Sequence, residues 1–159
     1  MLKENKGVTL VALVITIIVL LILAGVTLSM VIGNNGIFTK ANDASNKTSL
    51  SAATDAVRMA LLETQTSAYK DDNNYTSDFT VAKLVSDTTG YGKTFEDSMK
   101  TSGYTKATST LSKANEYTIA ADGEGVKVNV YVNSNHKNYE IKIAKDGAIS
   151  AADAANAEK

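Results

Sequence analysis

Few residues in this chain have the types and spacing to do chemistry. Asp71, Asp72, Asn73 and Asn74 gather side-chain oxygens in one short stretch, a donor set suited to calcium. They lack the spaced glycine and closing glutamate of a helix–loop–helix calcium loop, so a solvated loop is the simpler reading. Asp122 and Glu124 alternate with Gly123 and Gly125, which reads as a hairpin turn first and a calcium loop second. His136, the single histidine, sits in a polar turn and reads as a surface side chain. Lys100, Lys106 and Lys113 are too sparse for a phosphate-binding patch. No serine has a histidine and acid constellation that sequence singles out, and no glycine-rich phosphate loop occurs.

Composition narrows the choice further. The 159 residues include no cysteine, no proline and no tryptophan. Without cysteine there are no disulfides, thiolate metal sites or cysteine nucleophiles. Without proline there is no wall-anchoring motif of the L-P-x-T-G kind. A net charge of -1 argues against broad binding to a phosphate backbone, so no specific nucleic-acid partner is expected. No catalytic residues, no resident metal and no cofactor are expected, and the chain reads as a non-enzyme.

The strongest pattern is physical rather than catalytic. Of the 25 residues from Val8 to Ile32, 20 are apolar and 17 are Leu, Ile or Val. No charge occurs from Gly7 to Thr39. As a helix, this run reaches about 37 Å. A bilayer core of about 30 Å needs roughly 20 such residues, so the run can span with some tilt. Its four hydroxyl residues, Thr9, Thr16, Thr27 and Ser29, can bond a preceding carbonyl. The preceding head, MLKENKG, carries Lys3 and Lys6 against Glu4, which places it on the cytoplasmic side.

The stretch Lys6-Gly7-Val8-Thr9-Leu10-Val11-Ala12 resembles the type IV prepilins and pseudopilins, in the variant common among Gram-positive anaerobes. The resemblance covers about the first 40 residues. It implies cleavage after Gly7 by a prepilin peptidase on the cytoplasmic side. Val8, where phenylalanine is more usual, would become a methylated amino terminus. The apolar helix would stay in the mature protein, whereas a secretory signal peptide loses its helix. Thr9, Leu10 and Val11 follow the family pattern. Ala12 stands where the family usually has a glutamate thought to pair with a neighbour's amino terminus.

Beyond the helix, Gly33-Asn34-Asn35-Gly36 breaks the pattern and reads as a cap or hinge. Phe38 and Lys40 suit a membrane exit. Leu50, Ala53, Val57, Ala60, Leu61 and Thr64 recur at helical steps within a helix over 42–70. Short helices are expected over 79–87 and 94–102, and a loop over 105–113. Alternation at Tyr117–Ala121, Val126–Val132 and Tyr139–Ile143 predicts an antiparallel meander, with a fourth strand around 148–150 and a frayed tail from Ala151.

The expected fold class is therefore α+β. A long transmembrane helix is followed by a break near 33–36 and an amphipathic helix on a small antiparallel meander. The expected segments are a leader (1–7), a polymerisation helix (8–32), a hinge (33–41) and a globular domain (42–159). The resemblance implies a filament subunit, stored in the cell membrane and then displayed as a surface filament. Its partners would be copies of itself, membrane lipid, the prepilin peptidase, and an assembly ATPase with its platform. The alternative is a single-pass surface binding module that does not polymerise. A remote third is an anchored extracellular enzyme.

Ala12 generates the first prediction. If Thr9 or Thr16 hydroxyls or backbone carbonyls meet the Val8 amine, Ala12→Glu leaves the number of surface fibres unchanged. A rise in fibre number would mean that the carboxylate was missed rather than replaced.

Overall fold

The computed structural model describes residues 6–33, 36–70, 79–132 and 137–153. The elements in order are α1 (Lys6–Ile32), α2 (Ile37–Lys70), α3 (Lys83–Ser86), α4 (Tyr91–Thr101), β1 (Thr105–Lys106), β2 (Glu116–Asp122), β3 (Gly125–Val132), β4 (Lys137–Ile143) and β5 (Ile149–Asp153). The chain divides into two compact units, Met1–Ala44 and Ser45–Lys159. The class is α+β, a long amino-terminal helical region with a mixed five-stranded sheet.

In the first unit, α1 runs for 27 residues with no acid in its first turn and no base in its last. Two of its hydroxyls turn back onto the helix. Thr16 Oγ1 donates to the Leu13 carbonyl at 2.8 Å, and Thr27 Oγ1 donates to the Leu23 carbonyl at 2.9 Å. These two hydroxyl protons are thereby satisfied without water. The helix ends at Ile32, where glycine follows.

The second unit is a two-layer sandwich of helices on one sheet face. Strand order is β1-β2-β3-β4-β5. Strands β2 to β5 pair antiparallel, with Tyr117 opposite Val130, Val130 opposite Tyr139, Val128 opposite Ile141, and Val126 opposite Ile143. Directly opposed residues share a face, so these side chains form one apolar surface. Val126, Val128, Val130, Tyr139, Ile141 and Ile143 are buried. Each contributes on the order of 1.5–3 kcal/mol, an upper estimate set by the extended-chain reference. Against them α2 places Ala53, Ala56, Val57, Ala60 and Leu61. Three of these five are alanines, so the larger side chains at the contact come mainly from the sheet. Thr64 is also buried, and its hydroxyl donates to the Ala60 carbonyl at 2.7 Å.

The opposite sheet face is polar. Glu140 lies 3.5 Å from Lys127 and 3.4 Å from Lys142, and Lys142 lies 3.6 Å from Asp122. The β2–β3 hairpin turns on Gly123 at φ +64°, a conformation other residues adopt at a steric penalty. At the β1 end, Leu84 of α3 and Phe95 and Met99 of α4 close the core with Tyr104 and Tyr117. Phe95 and Tyr117 meet edge to face at 6.4 Å. Asp87 starts α4: its carboxylate accepts the Gly90 and Tyr91 amides at 2.8 and 3.1 Å. Those amides hold its carboxyl below the ordinary value of 3.8.

The structure corrects the sequence expectations at several places. The expected antiparallel meander is present as β2 to β5, and β1 adds a parallel pairing that makes the sheet mixed. Inside the expected loop 105–113, β1 pairs parallel with β2, Thr105 opposite Glu116 and Lys106 opposite Tyr117. Two residues are too few to carry a period. Ala151–Asp153 are not a frayed tail but complete β5, with Asp153 opposite Tyr139. Their alanines gave no hydrophobic alternation to read. The helix expected over 79–87 shrinks to α3, while that over 94–102 begins earlier, at Tyr91, where Asp87 meets its first amides. Helix α2 starts at Ile37, ahead of the Asn42 that periodicity marks.

Two buried tyrosines make opposite predictions. Tyr139 Oη donates to the Asn46 carbonyl at 3.1 Å, tying α2 to β4. The Tyr117 hydroxyl is buried with no hydrogen-bond partner, and burial pushes its pKa up, with Glu96 and Asp97 adding to the shift. Tyr139→Phe is expected to destabilise by about 1 kcal/mol, whereas Tyr117→Phe is neutral or stabilising by up to about 1 kcal/mol. Denaturant unfolding of the detergent-solubilised chain, followed by circular dichroism, compares the two.

Candidate functional apolar helix and its flanks

From Leu10 to Met30, helix α1 is apolar on every side and exposed throughout. Leu10 is 64% exposed, Leu21 67% and Met30 71%, three positions spread along its length. At about 1.5 Å per residue its 27 residues extend about 40 Å, more than the hydrocarbon thickness of about 30 Å. It is the one described helix long and apolar enough to cross a membrane. Within it, Gly25 and Ser29 leave a shallow notch that Val26 and Met30 also line. A Cβ at Gly25 would meet nothing within 4 Å. Another helix could approach closely there.

Lys6, Gly7, Val8 and Thr9 occupy the first turns of α1, so their backbone is continuous with the apolar helix. Leu10, Val11 and Ala12 follow, all exposed. The Thr16 hydroxyl, whose proton goes to Leu13, keeps lone pairs that could accept from an amine. A cleaved chain would place a charged amine at the positive end of the helix dipole with no acid in the first turn to offset it.

The break near 33–36 separates α1 from α2. Gly33 keeps a helical bond, its amide donating to the Ser29 carbonyl at 3.0 Å. The Gly36 amide then donates to the Gly33 carbonyl at 2.6 Å, and Thr39 Oγ1 reaches the same carbonyl at 3.4 Å. A Cβ on Gly36 would collide with the Val31 carbonyl oxygen and lie 2.8 Å from that of Gly33. Glycine at 36 is therefore a steric requirement. Asn34 and Asn35 lie outside the described residues.

Asp71, Asp72, Asn73 and Asn74 lie outside the described residues, as does His136. Asp122 is paired with Lys142, and Glu124 with Lys145 at 2.8 Å, so the hairpin acids are turned to lysines. Lys106 pairs with Glu96 at 3.1 Å. Among the described residues no three acidic or histidine side chains converge. Sequence reasoning missed two features. Glu116 Oε2 accepts the Ser112 and Lys113 amides, both at 2.9 Å, which holds its carboxyl below the ordinary 4.5 and pins the 105–113 segment. Met59, Leu62 and Tyr69 stay exposed on α2, away from the face marked by Ala53, Val57, Ala60 and Leu61. Their helical spacing was the available signal.

No family model, no curated protein and no solved structure matches the chain.

Gly36→Ala tests the junction. The Cβ displaces the Gly33 and Val31 carbonyls, so the amides of Gly36 and Lys40 lose protection. Hydrogen exchange over residues 33–40 is expected to speed about tenfold, with the β3 amides unchanged. Unaltered exchange at Gly36 would mean that the turn absorbs the methyl group.

Proposed function

We propose that this chain is a structural subunit of a type IV pilus or a type II secretion-like pseudopilus. It is cleaved after Gly7, methylated on the Val8 amine and polymerised through α1. The observation that carries this reading is the uncharged run of α1 from Val8 to Ile32, directly after Lys6-Gly7 and exposed on every face from Leu10 to Met30. Before assembly, lipid covers the helix in a single pass. During assembly it moves from lipid into a bundle of identical helices, so little apolar surface meets water. An ATPase and platform protein drive that transfer. Head-to-tail contacts that do not close generate an open surface filament. The Gly25–Ser29 notch supports close helix packing in such a bundle. The role is structural rather than catalytic.

A second reading is favoured by Ala12. Without the usual carboxylate, the chain would remain a single-pass, membrane-anchored surface binding module. Mass spectrometry of the protein from its native membrane separates the two. The filament reading expects a chain that begins at methylated Val8, and Gly7→Leu leaves it uncut and off the surface. Retention of Met1 in cells with an active prepilin peptidase would overturn it.

A further inference from the structure

The first eight residues of α2, Ile37–Ala44, belong to the same compact unit as α1. All but Thr39 are exposed, and the large apolar pair Ile37 and Phe38 are 69% and 66% exposed. Their order is not random. At 3.6 residues per turn, Ile37, Phe38, Ala41 and Ala44 fall within an arc of about 120°. Thr39, Lys40, Asn42 and Asp43 fill the remainder. Lys40 and Asp43 offset each other, so the segment has no net charge.

Its place in the chain says what meets the apolar arc. Helix α1 extends about 40 Å, and a bilayer with its headgroup layers is about 40–45 Å thick. A spanning α1 with Lys6 in one headgroup layer therefore brings Ile32 to the other. The Gly36 amide donates to the Gly33 carbonyl at 2.6 Å, a four-residue turn that keeps those two Cα atoms within about 7 Å. Ile37 and Phe38 thus follow at headgroup depth, and the uncharged run that began at Gly7 ends only at Lys40. A helix laid along the surface covers the apolar arc and leaves Lys40 and Asp43 in water.

We propose that Ile37–Ala44 lies on the bilayer leaflet opposite Lys6, with Ile37, Phe38, Ala41 and Ala44 turned into the boundary between headgroups and acyl chains. This rests on α1 spanning the membrane, which both readings above share. Eight residues hold a lipid surface weakly by themselves. Attachment to α1 makes the contact intramolecular, so a weak contact is enough. Because the charges offset, the surface it fits is the apolar boundary of a phospholipid bilayer rather than an anionic headgroup.

With no native cysteine, a single thiol reports a single position. The full-length chain is reconstituted in phosphatidylcholine vesicles with an environment-sensitive fluorophore on Leu20→Cys, Phe38→Cys, Ala41→Cys, Asn42→Cys or Ser150→Cys. Each label is quenched by a lipid nitroxide at shallow acyl depth, or by aqueous iodide. The nitroxide is expected to quench the Phe38 and Ala41 labels at least about threefold more than the Asn42 and Ser150 labels, with or without phosphatidylserine. Equal quenching at Ala41 and Asn42 overturns the proposal, because the helix then has no side on lipid. So does quenching that appears only with phosphatidylserine, which would mean that Lys40 holds the surface. Adding Phe38→Asp to the Ala41→Cys chain is expected to weaken nitroxide quenching, and an unchanged signal also counts against the proposal. The Leu20 label keeps this contact apart from the reading beneath it. Leu20 shielded from iodide while Phe38 is open to it removes only the surface contact. Leu20 open to iodide removes the spanning helix on which the contact rests.

Discussion

Helix α1 exposes Leu, Ile and Val on every face, and those side chains must be kept from water. Seventeen such residues between Val8 and Ile32, at about 1.5–3 kcal/mol each, amount to tens of kcal/mol. A folded domain has a net stability of only about 5–15 kcal/mol. The solvent for α1 therefore decides where the chain can exist. The absence of charge from Gly7 to Thr39 and the inward-turned hydroxyls of Thr16 and Thr27 follow from the same demand.

The Ser45–Lys159 unit meets the opposite demand, to fold in water with a modest core. It does so by dividing its sheet. One face carries Val126, Val128, Val130, Ile141 and Ile143 beneath the alanines of α2, and the other carries the Lys127–Glu140–Lys142 pairs. The Tyr139 hydroxyl reaches the Asn46 carbonyl and fixes the helix on that sheet. Tyr117, equally buried, has no such partner and holds its place through Phe95 and packing alone. Exposed apolar surface remains on one α2 stripe, a surplus that aqueous folding does not require.

Periodicity made most of this legible. Val126, Val128, Val130 and Val132 alternate because one strand face is wet, and Ala53, Val57, Ala60, Leu61 and Thr64 recur because one helix face is dry. The layout of a long helix and a small sheet followed from those two periods. Periodicity failed where pairing rests on the backbone alone. Thr105 and Lys106 join the sheet through main-chain contact with β2, and Ala151 and Ala152 join it with side chains too small to pattern. Asp87 set the start of α4 through its bonds to Gly90 and Tyr91, a choice no hydrophobic spacing records.

By itself, the sequence determined the material of each part: a helix that requires an apolar surround, a glycine-bounded break, and a half-wet sheet with a helix to cover it. These are properties of side-chain type and period, which act locally. Only the tertiary structure decided which carboxylates find amides or lysines, which tyrosine hydroxyl is satisfied, and which apolar residues of α2 are left uncovered. Met59 and Val57 are two positions apart, yet one is exposed and the other buried, because burial depends on which helix face the sheet occupies.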